Sequence, residues 1–254
     1  AQWEKLNPEY ELVVLDEETC RPYLADLSID TANISLQAKS DIIRLKLLSK
    51  FGGVWVDASV FPLRPLDDWI AEALEEADFF AFERDGLVLP LSSWFMAAKP
   101  NSNIPRHWNA LVHSYWSVER MALHVPGQTI CVPLDPMSLM EPFNPEKCTP
   151  YPYFWLHHLF GVLLQTEPEF LEEWGKRYRL SSAEAHRFAK HFHYQTKRRG
   201  GLKMVAFQLQ RVLGMQKHLP IKRLCKGSRM QKLDWRAKYT AKTFEGFDSS
   251  PSNE

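Results

Sequence analysis

The sequence predicts an α/β fold with helices packed on a mixed sheet, and three observations support this class. Helical and strand-like segments alternate over the first hundred residues, as in sheets layered by helices. Helical periodicity dominates the rest of the chain. With 254 residues, 45% of them hydrophobic, the chain can bury a sizeable core. We expect an α/β domain over residues 1–195, a basic helical segment over 196–240 packed on it, and a flexible tail over 241–254.

The first expected elements surround a glycine pair. Glu11–Leu15 (ELVVL) is rich in apolar residues and predicts a strand, and Asp16 should cap a helix after it. Ser35–Phe51 is a helical stretch that ends at Gly52-Gly53, and glycine is common just past a helix end. A strand over Val54–Asp57 should follow directly.

The later elements are mostly helical. Asp67 is expected to cap a further helix, and strands are expected at Asp78–Phe82 and Ser93–Ala98. The proline-rich stretch 124–150 predicts a loop. The remaining helices are expected at Ile104–Leu123, Tyr151–Gln165, Glu167–Tyr178, Ser181–His191 and Leu202–Leu213.

Charge is distributed unevenly although the formal net charge is zero. Residues 185–238 contain fifteen Lys and Arg against one acid, Asp234, which gives +14. Such asymmetry suggests an anionic partner. The four cysteines lack metal-like spacing, so we expect free thiols or small buried hydrophobes in a cytoplasmic protein. No apolar run approaches the roughly 18 residues that a membrane span needs.

The helix over Ser35–Phe51 carries charges on the face expected to be buried. At about 100° per residue, Lys39, Lys46 and Lys50 form one solvent stripe, and Asp41 and Arg44 lie nearly opposite it. An ion needs a partner when buried, because its desolvation costs several kcal/mol. One interpretation is an internal ion pair or a helix cap. The other is a polar cavity in which Asp41 accepts from sugar hydroxyls and Arg44 donates to hydroxyls or phosphate.

Asp57 follows a short strand directly, where open α/β sheets bind ligands. In an extended chain Asp57 and Ser59 point to the same side, so they can share a divalent cation, Mg²⁺ or Mn²⁺, or bracket a ribose. The alternative is an aspartate that caps the following turn.

The run SDIIRLKLLSKFGGVWVDASVF resembles the donor-site block of bacterial capsular-polysaccharide-synthesis glycosyltransferases, which are related to the wider group with a DXD sugar-binding motif. The similarity extends to NPEYELVVLDEE before the block and to PLDDWI, SSWFMAAKPNS, YFWLHHLF and QKLDWR after it. The resemblance implies a GT-A-like (Rossmann-like) domain with a mostly helical C-terminal part. It also implies a retaining hexosyltransferase that uses a UDP- or GDP-hexose donor and a glycan or lipid-linked acceptor of capsule or O-antigen type.

The resemblance also implies roles for individual residues. Asp57 is expected to take part in catalysis, and His157, on an apolar helix, to lie near the catalytic centre. A structural core histidine is the alternative for His157. A metal would be bound by Asp57 and Ser59. The expected donor-binding residues are Ser40, Asp41, Arg44, Asp57, Ser92, Ser93, Trp94, Lys232 and Trp235.

Three departures from the family pattern bear on activity. Ser59 stands where DXD has its second acid, and Gln231 stands where the signature before Lys232-Leu233 commonly has histidine. Relatives also carry an upstream strand with a pattern like IPKIIW, which helps to hold the nucleotide base, and the chain as given starts downstream of it. An alternative function is therefore a glycan-binding or membrane-docking protein that keeps the fold without turnover.

The basic C-terminal region suggests a membrane surface as partner. Leu202, Val205, Leu209 and Val212 recur at helical spacing beside basic residues, as in helices that lie on anionic lipid. A solvated helix face is the alternative. No recognisable nucleic-acid-binding module accompanies the charge, so we expect no nucleic-acid partner. These patterns predict a peripheral protein at the inner face of the plasma membrane.

We expect the protein to bind vesicles of anionic lipid at low salt, because each basic side chain near such a surface contributes about 1 kcal/mol. Neutralising Lys197, Arg198, Arg199 and Lys203 together should release the protein in a flotation assay while leaving turnover of a soluble acceptor nearly unchanged. Wild-type protein that ignores anionic vesicles at low salt would contradict the membrane assignment.

Overall fold

The computed structural model describes residues 2–27, 31, 34–84, 89–122, 149–190, 225 and 227–233, with backbone alone at 121–122 and 149–150. The chain forms two compact units. The larger comprises Val13–Val56 and Trp69–Ser181, and the smaller comprises Ala1–Leu12, Asp57–Asp68 and Ser182–Glu254. The predicted boundaries near 195 and 240 lie outside the described residues and stay predictions, as do the helix over Leu202–Leu213 and the Lys197–Lys203 cluster.

Helices and strands are both present, so the α/β class is confirmed. The helices are α1 (Gln2–Leu6), α2 (Leu36–Phe51), α3 (Ile70–Ala73), α4 (Asn103–Tyr115), α5 (Trp155–Thr166) and α6 (Pro168–Gly175), with a 3-10 turn at Arg21–Tyr23. The strands are β1 (Gly53–Val56), β2 (Val60–Pro62), β3 (Phe79–Glu83), β4 (Leu91–Ala98), β5 (Arg120–Ala122), β6 (Thr149–Tyr151) and β7 (Met230–Lys232).

The larger unit is built on a three-stranded sheet in the order β1-β4-β3. Both pairings are antiparallel, so this sheet is not the mixed sheet that the sequence predicts. Among the described residues, the parallel ladder is the short one between β5 and β6. Every residue of the central strand β4 is buried, which explains its nearly unbroken apolar sequence.

Helix α2 begins and ends as its sequence predicts. The Ser35 hydroxyl accepts a hydrogen bond from the Ala38 backbone N–H (3.2 Å) and so caps the first turn. At the other end Gly52 has φ +70°, and its N–H donates to the Leu48 carbonyl (3.0 Å). The next residue, Gly53, also has positive φ and opens β1. The two glycines therefore turn the chain from helix into strand without an intervening loop.

The core of the larger unit is rich in tryptophan. Trp108, Trp116 and Trp155 are fully buried, and the ring of Trp155 stacks on Tyr115 with centroids 5.5 Å apart. Trp108 donates its indole N–H to the Leu156 carbonyl (3.1 Å) and thereby ties α4 to α5. These tryptophans therefore serve the packing of the core.

Three sequence predictions are wrong in the first half of the chain. The helix expected from Asp16 towards Tyr23 does not form, since residues 17–20 are a turn that leads into the 3-10 turn at Arg21–Tyr23. Residues Glu11–Leu15 form no strand, and Val13 and Val14 are exposed, since high β propensity gains little without a neighbouring strand. Helix α4 ends at Tyr115, well before the predicted Leu123. The Arg120 guanidinium lies 3.6 Å over the Tyr115 ring and donates to the Tyr115 carbonyl (2.7 Å), so a buried cation satisfies the end of the helix.

The smaller unit is organised around the antiparallel pair of β2 and β7. Val60 lies opposite Lys232, and Pro62 lies opposite Met230. Helix α1 supports β2, because the Trp3 indole N–H donates to the Val60 carbonyl (3.0 Å). Asn7 is buried and accepts from the Leu66 N–H (2.7 Å). Gln231 and Lys232 of the C-terminal signature are therefore paired with the strand that follows Asp57.

Within the part of the chain that the structure describes, no helix has the length and hydropathy needed to cross a membrane.

We expect Gly52 and Gly53 to respond differently to alanine. Both have positive φ, which costs a residue with Cβ about 1 kcal/mol. A Cβ on Gly52 would lie 2.7 Å from the Pro100 nitrogen, whereas a Cβ on Gly53 meets nothing within 4 Å. Gly53→Ala should therefore lower the unfolding free energy by about 1 kcal/mol and Gly52→Ala by about 3 kcal/mol or more. Chemical denaturation measures both, and equal losses would contradict the close approach.

Candidate functional site

Arg44 is the most heavily bonded buried cation of helix α2. The residue is only 5% exposed. Its Nη1 donates to the Ser93 carbonyl (2.8 Å) and lies 3.1 Å from Asp41 Oδ1, while Nη2 donates to the Ser40 hydroxyl (3.0 Å). The guanidinium also lies 5.2 Å from the centroid of the Trp55 ring. The predicted burial of this helix face is therefore observed, together with the internal ion pair considered from the sequence.

The carbonyl that receives Arg44 lies at an irregularity of the central strand. Ala81 of β3 pairs with Met96 of β4, but the next residue, Phe82, pairs with Ser92. Residues 93–95 are therefore skipped in the β3 ladder. Irregularities of this kind occur often beside active sites, where they redirect side chains. Here the skipped segment lets Ser93 accept from a helix rather than from the neighbouring strand.

The Asp41–Arg44 pair is expected to contribute little net stability to the fold. The Asp41 side chain is 13% exposed and that of Arg44 is 6% exposed. Removing two charges from water costs several kcal/mol per ion, and well-packed apolar residues often give equal or better stability. A charged pair kept here by the protein is therefore a candidate for ligand binding. The contacts of Arg44 also indicate how Asp41 is oriented, since they anchor its partner at three points.

The predicted residues of β4 lie close to this pair in the same unit. Ser92, Ser93 and Trp94 are all buried. The Trp94 ring stacks on Phe82, with centroids 5.0 Å apart and planes inclined by 21°. Trp94 is therefore held rigidly, with Phe82 covering one face of its indole.

His157, on α5, is a buried neutral histidine. It is 7% exposed, and its Nδ1 has no hydrogen-bond partner among the described residues. Burial, together with the positive charges of Arg44 and Arg84, lowers the pKa of His157 to about 3. An imidazole of this kind matches a general base at neutral pH poorly. It can still accept or donate a hydrogen bond as a neutral group.

Arg84 is a residue that the sequence patterns did not single out. Its guanidinium lies 4.9 Å from the centroid of the Phe154 ring, and Phe154 contacts His157 edge-to-face at 5.3 Å. Arg84 follows β3 directly, so a basic residue after a buried strand was the available signal.

A second cluster, in the smaller unit, joins Asp57, Ser59 and Lys232. The Lys232 ammonium donates to Asp57 Oδ2 (2.7 Å) and to the Ser59 hydroxyl (2.6 Å). The exposed fractions are 26% for the Asp57 side chain and 18% for that of Lys232. Strand β1 ends at Val56, and the Asp57 carbonyl accepts from the Val60 N–H (2.9 Å) in the turn that follows. Asp57 thus starts this turn rather than ending the strand.

Backbone hydrogen bonds to two different segments hold strand β7 in place at Lys232. The Lys232 N–H donates to the Ala185 carbonyl (2.7 Å), and the Leu233 N–H donates to the Ser59 carbonyl (2.8 Å). Gln231 is buried, and its amide accepts from the Phe188 N–H (3.0 Å) and donates to the Glu184 carbonyl (2.9 Å). The residue in the usual histidine position therefore anchors this strand.

The residues expected to bind a divalent cation do not suit one as they are arranged. Lys232 contacts Asp57 Oδ2 and the Ser59 hydroxyl, so one carboxylate oxygen and the hydroxyl already bind a cationic side chain. A hard cation also needs about six oxygen ligands, and of these two residues only Asp57 carries a carboxylate. Within the described residues, no group of three or more His, Cys, Asp or Glu is placed to hold a metal.

The structure brings the predicted site residues together in two groups. One cluster, in the larger unit, consists of Ser40, Asp41, Arg44 and Ser93. The charge of Arg44 also affects the pKa of His157. Asp57, Ser59 and Lys232 form the other, in the smaller unit. Trp235 lies outside the described residues.

The chain is similar to a capsular polysaccharide synthesis family and to two fungal glycosyltransferases. Residues 1–125, just under half of the chain, match the family described as capsular polysaccharide synthesis protein. O-glycosyltransferase braB of Annulohypoxylon truncatum is 27% identical over 119 residues, which are 41% of this chain and 28% of the fungal protein. Glycosyltransferase afumC of Aspergillus fumigatus is 31% identical over 86 residues, which are 32% of this chain and 22% of that protein.

The matched regions limit what the similarity covers. The chain spans less than a third of the length of the two fungal proteins. No solved structure matches it at a significant level. The family match includes Asp41, Arg44, Asp57 and Ser59 but ends before His157 and Lys232. The similarity therefore supports a relation to glycosyltransferases at a general level.

We expect His157 to make stability depend on pH between about 6.5 and 3. The unfolded histidine takes up a proton near pH 6.5, whereas the folded one does so only near its pKa of about 3. Between these two pH values the unfolded state binds one more proton than the folded state. The free energy of unfolding therefore falls as pH drops below 6.5, by up to about 1.4 kcal/mol per pH unit, and is unaffected by His157 above that pH. Urea denaturation of His157→Gln at pH 7.5, 6.0 and 5.0 should give a shallower slope than wild type.

His113→Gln provides the matched control for this experiment, because His113 is an exposed histidine on α4. Its slope should equal that of wild type. If His157→Gln retains the full wild-type slope, His157 is not the group that resists protonation.

Proposed function

We propose that the protein is a nucleotide-sugar-dependent glycosyltransferase that moves a hexose from a UDP- or GDP-sugar to a glycan acceptor. The chemistry would be displacement at the anomeric carbon: the bond to the diphosphate breaks, the acceptor oxygen takes its place, and the acceptor's proton leaves with the diphosphate. A retaining outcome and a GT-A-like fold are part of the proposal, on the basis of the family resemblance.

One observation carries this proposal: the Asp41–Arg44 pair lies buried beside an irregular stretch of β4, within residues that match the capsular polysaccharide synthesis family. Stability alone gives little reason to bury such a pair. A polyhydroxylated ligand gives a reason, because each sugar hydroxyl can donate to a carboxylate that is already desolvated and oriented. Names of the two fungal relatives point to the same class of reaction.

The contacts divide the roles within this pair. Arg44 uses its Nε, Nη1 and Nη2 groups on Ser40 and Ser93, so we assign it chiefly to holding Asp41 and the skipped segment of β4. Asp41 is the member that we assign to the sugar hydroxyls. Ser92 and Trp94 would shape the surroundings of the sugar, and His157 would contribute a neutral hydrogen bond.

Within the smaller unit, Asp57 is the residue that we assign to donor binding. Asp57 carries a carboxylate in the turn after β1, and a ribose or sugar hydroxyl is a suitable donor to it. Lys232 carries the positive charge of this cluster and can lower the cost of bringing a diphosphate near. Trp235, three residues beyond Lys232 in the sequence, stays a predicted donor-binding residue.

The acceptor is proposed to be a growing bacterial surface glycan, carried on a lipid at the inner face of the plasma membrane. The basic residues 197–203 and the +14 charge of residues 185–238 suit such a location, because anionic headgroups attract them.

We expect Asp41→Asn and Asp57→Asn each to reduce donor turnover by about 100-fold or more in protein that is still folded. Asp41→Asn should lower the melting temperature more than Asp57→Asn, because it leaves the buried Arg44 without its carboxylate partner. The amide keeps the volume of each side chain but loses the charge that favours bonds from hydroxyls. Release of the sugar from a panel of UDP- and GDP-hexoses, followed by chromatography, measures turnover.

Asp78→Asn is the matched control, because Asp78 also pairs with a lysine, Lys99, at 3.0 Å but is largely exposed. Its turnover should equal that of wild type. Full activity in Asp41→Asn would contradict the role of Asp41 in binding the sugar, on which the proposal rests. Wild-type protein that binds a sugar nucleotide without turning it over would instead favour the glycan-binding alternative.

A further inference from the structure

The Lys232 ammonium joins one carboxylate oxygen of Asp57 to the Ser59 hydroxyl, where a cation shared by these two residues would bind. It is 2.7 Å from Asp57 Oδ2 and 2.6 Å from Ser59 Oγ. A Mg²⁺ or Mn²⁺ bound by the same oxygens would need a contact of roughly 2.1 Å to each. Its double charge would then lie very close to the ammonium. The lysine and the metal are therefore alternatives at this corner of the smaller unit.

The lysine is built into this position by its backbone. Strand β7 pairs Lys232 with Val60, just after the turn that contains Asp57 and Ser59. Hydrogen bonds from the Lys232 and Leu233 N–H groups, to Ala185 and Ser59, anchor the strand on both sides. Because the side chain is only 18% exposed, its ammonium is not an ordinary solvated lysine.

Among the described residues, no group of three or more His, Cys, Asp or Glu adds replacement ligands here. Ser59 is a neutral hydroxyl, a weaker ligand for a hard cation than a carboxylate. The Gln231 amide is buried and bonded to the backbone at Phe188, Glu184 and Met230. Polar groups that could have extended a metal site are therefore committed to holding β7.

We propose that Lys232 takes the place of the divalent cation, so that the protein binds its sugar-nucleotide donor without a metal. The inference rests on the proposed function for the identity of the donor, but its statement about metals stands on the Asp57–Lys232–Ser59 geometry alone. The ammonium supplies a fixed single charge beside Asp57, and the donor binds through this neutral ion pair rather than through a metal complex.

The first experiment examines metal binding without any donor. Wild-type protein is titrated with MnCl₂, and free Mn²⁺ is followed by electron paramagnetic resonance. We expect no stoichiometric binding, and we expect the melting temperature to be the same in MnCl₂ and in EDTA. One bound Mn²⁺ that disappears in Asp57→Asn would overturn the proposal. Loss of UDP-glucose or GDP-mannose affinity on adding EDTA would also overturn it.

The second experiment changes the lysine. Lys232→Glu places a second carboxylate beside Asp57 and should create a Mn²⁺ site, because carboxylates are the ligands that this cation prefers. Lys232→Met keeps the apolar stem but removes the charge, and should weaken donor binding at least tenfold, with part of the loss restored by MnCl₂. Lys232→Arg keeps the charge and should retain most of the affinity.

Lys99→Met is the matched control, because Lys99 pairs with the single carboxylate of Asp78 on the surface. It should change neither Mn²⁺ binding nor donor affinity. Unchanged donor affinity in folded Lys232→Met would overturn the role of the lysine. If wild-type protein binds no sugar nucleotide, the proposed function fails, while the Mn²⁺ titrations of wild type and Lys232→Glu still decide whether lysine excludes the metal.

Discussion

The buried guanidinium of Arg44 is the constraint around which the larger unit is arranged. A cation with five donors cannot be removed from water unless acceptors are placed around it. Here they come from its own helix, through Ser40 and Asp41, and from the middle of the sheet, through the Ser93 carbonyl. Because the last of these lies in the stretch of β4 that its neighbour skips, the irregularity of the sheet and the orientation of α2 depend on one side chain.

The chemistry of the candidate site follows from the same requirement. Burial depresses the pKa of His157, and the charge of Arg44 adds to this effect, so that imidazole stays neutral. Arg44 also holds the carboxylate of Asp41 at one edge of the buried face. A polar group that is positioned in advance loses little entropy when a ligand arrives, which is the advantage such a buried pair offers in return for its desolvation.

Local features were predictable from the sequence, and distant pairings were not. Helix α2, its Ser35 cap and its Gly52 end follow from neighbouring residues, and so does the burial of Arg44 opposite the lysine stripe. The strand predicted at Glu11–Leu15 was wrong because a strand-like composition does not show whether a partner strand is available. The end of α4 was missed because it depends on Arg120 returning to Tyr115. Nothing near Asp57 in the sequence indicates that its charge partner is Lys232, since the interacting residues are 175 positions apart.

That separation has a consequence for how the protein becomes functional during synthesis. Ribosomes add roughly 5–20 residues per second, so Lys232 follows Asp57 after roughly 10–35 s. During this interval the Asp57 carboxylate and the Ser59 hydroxyl have already been made but lack the ammonium that joins them. Strand β7, the last of the described elements in chain order, must therefore emerge before the charge pair of this corner can form.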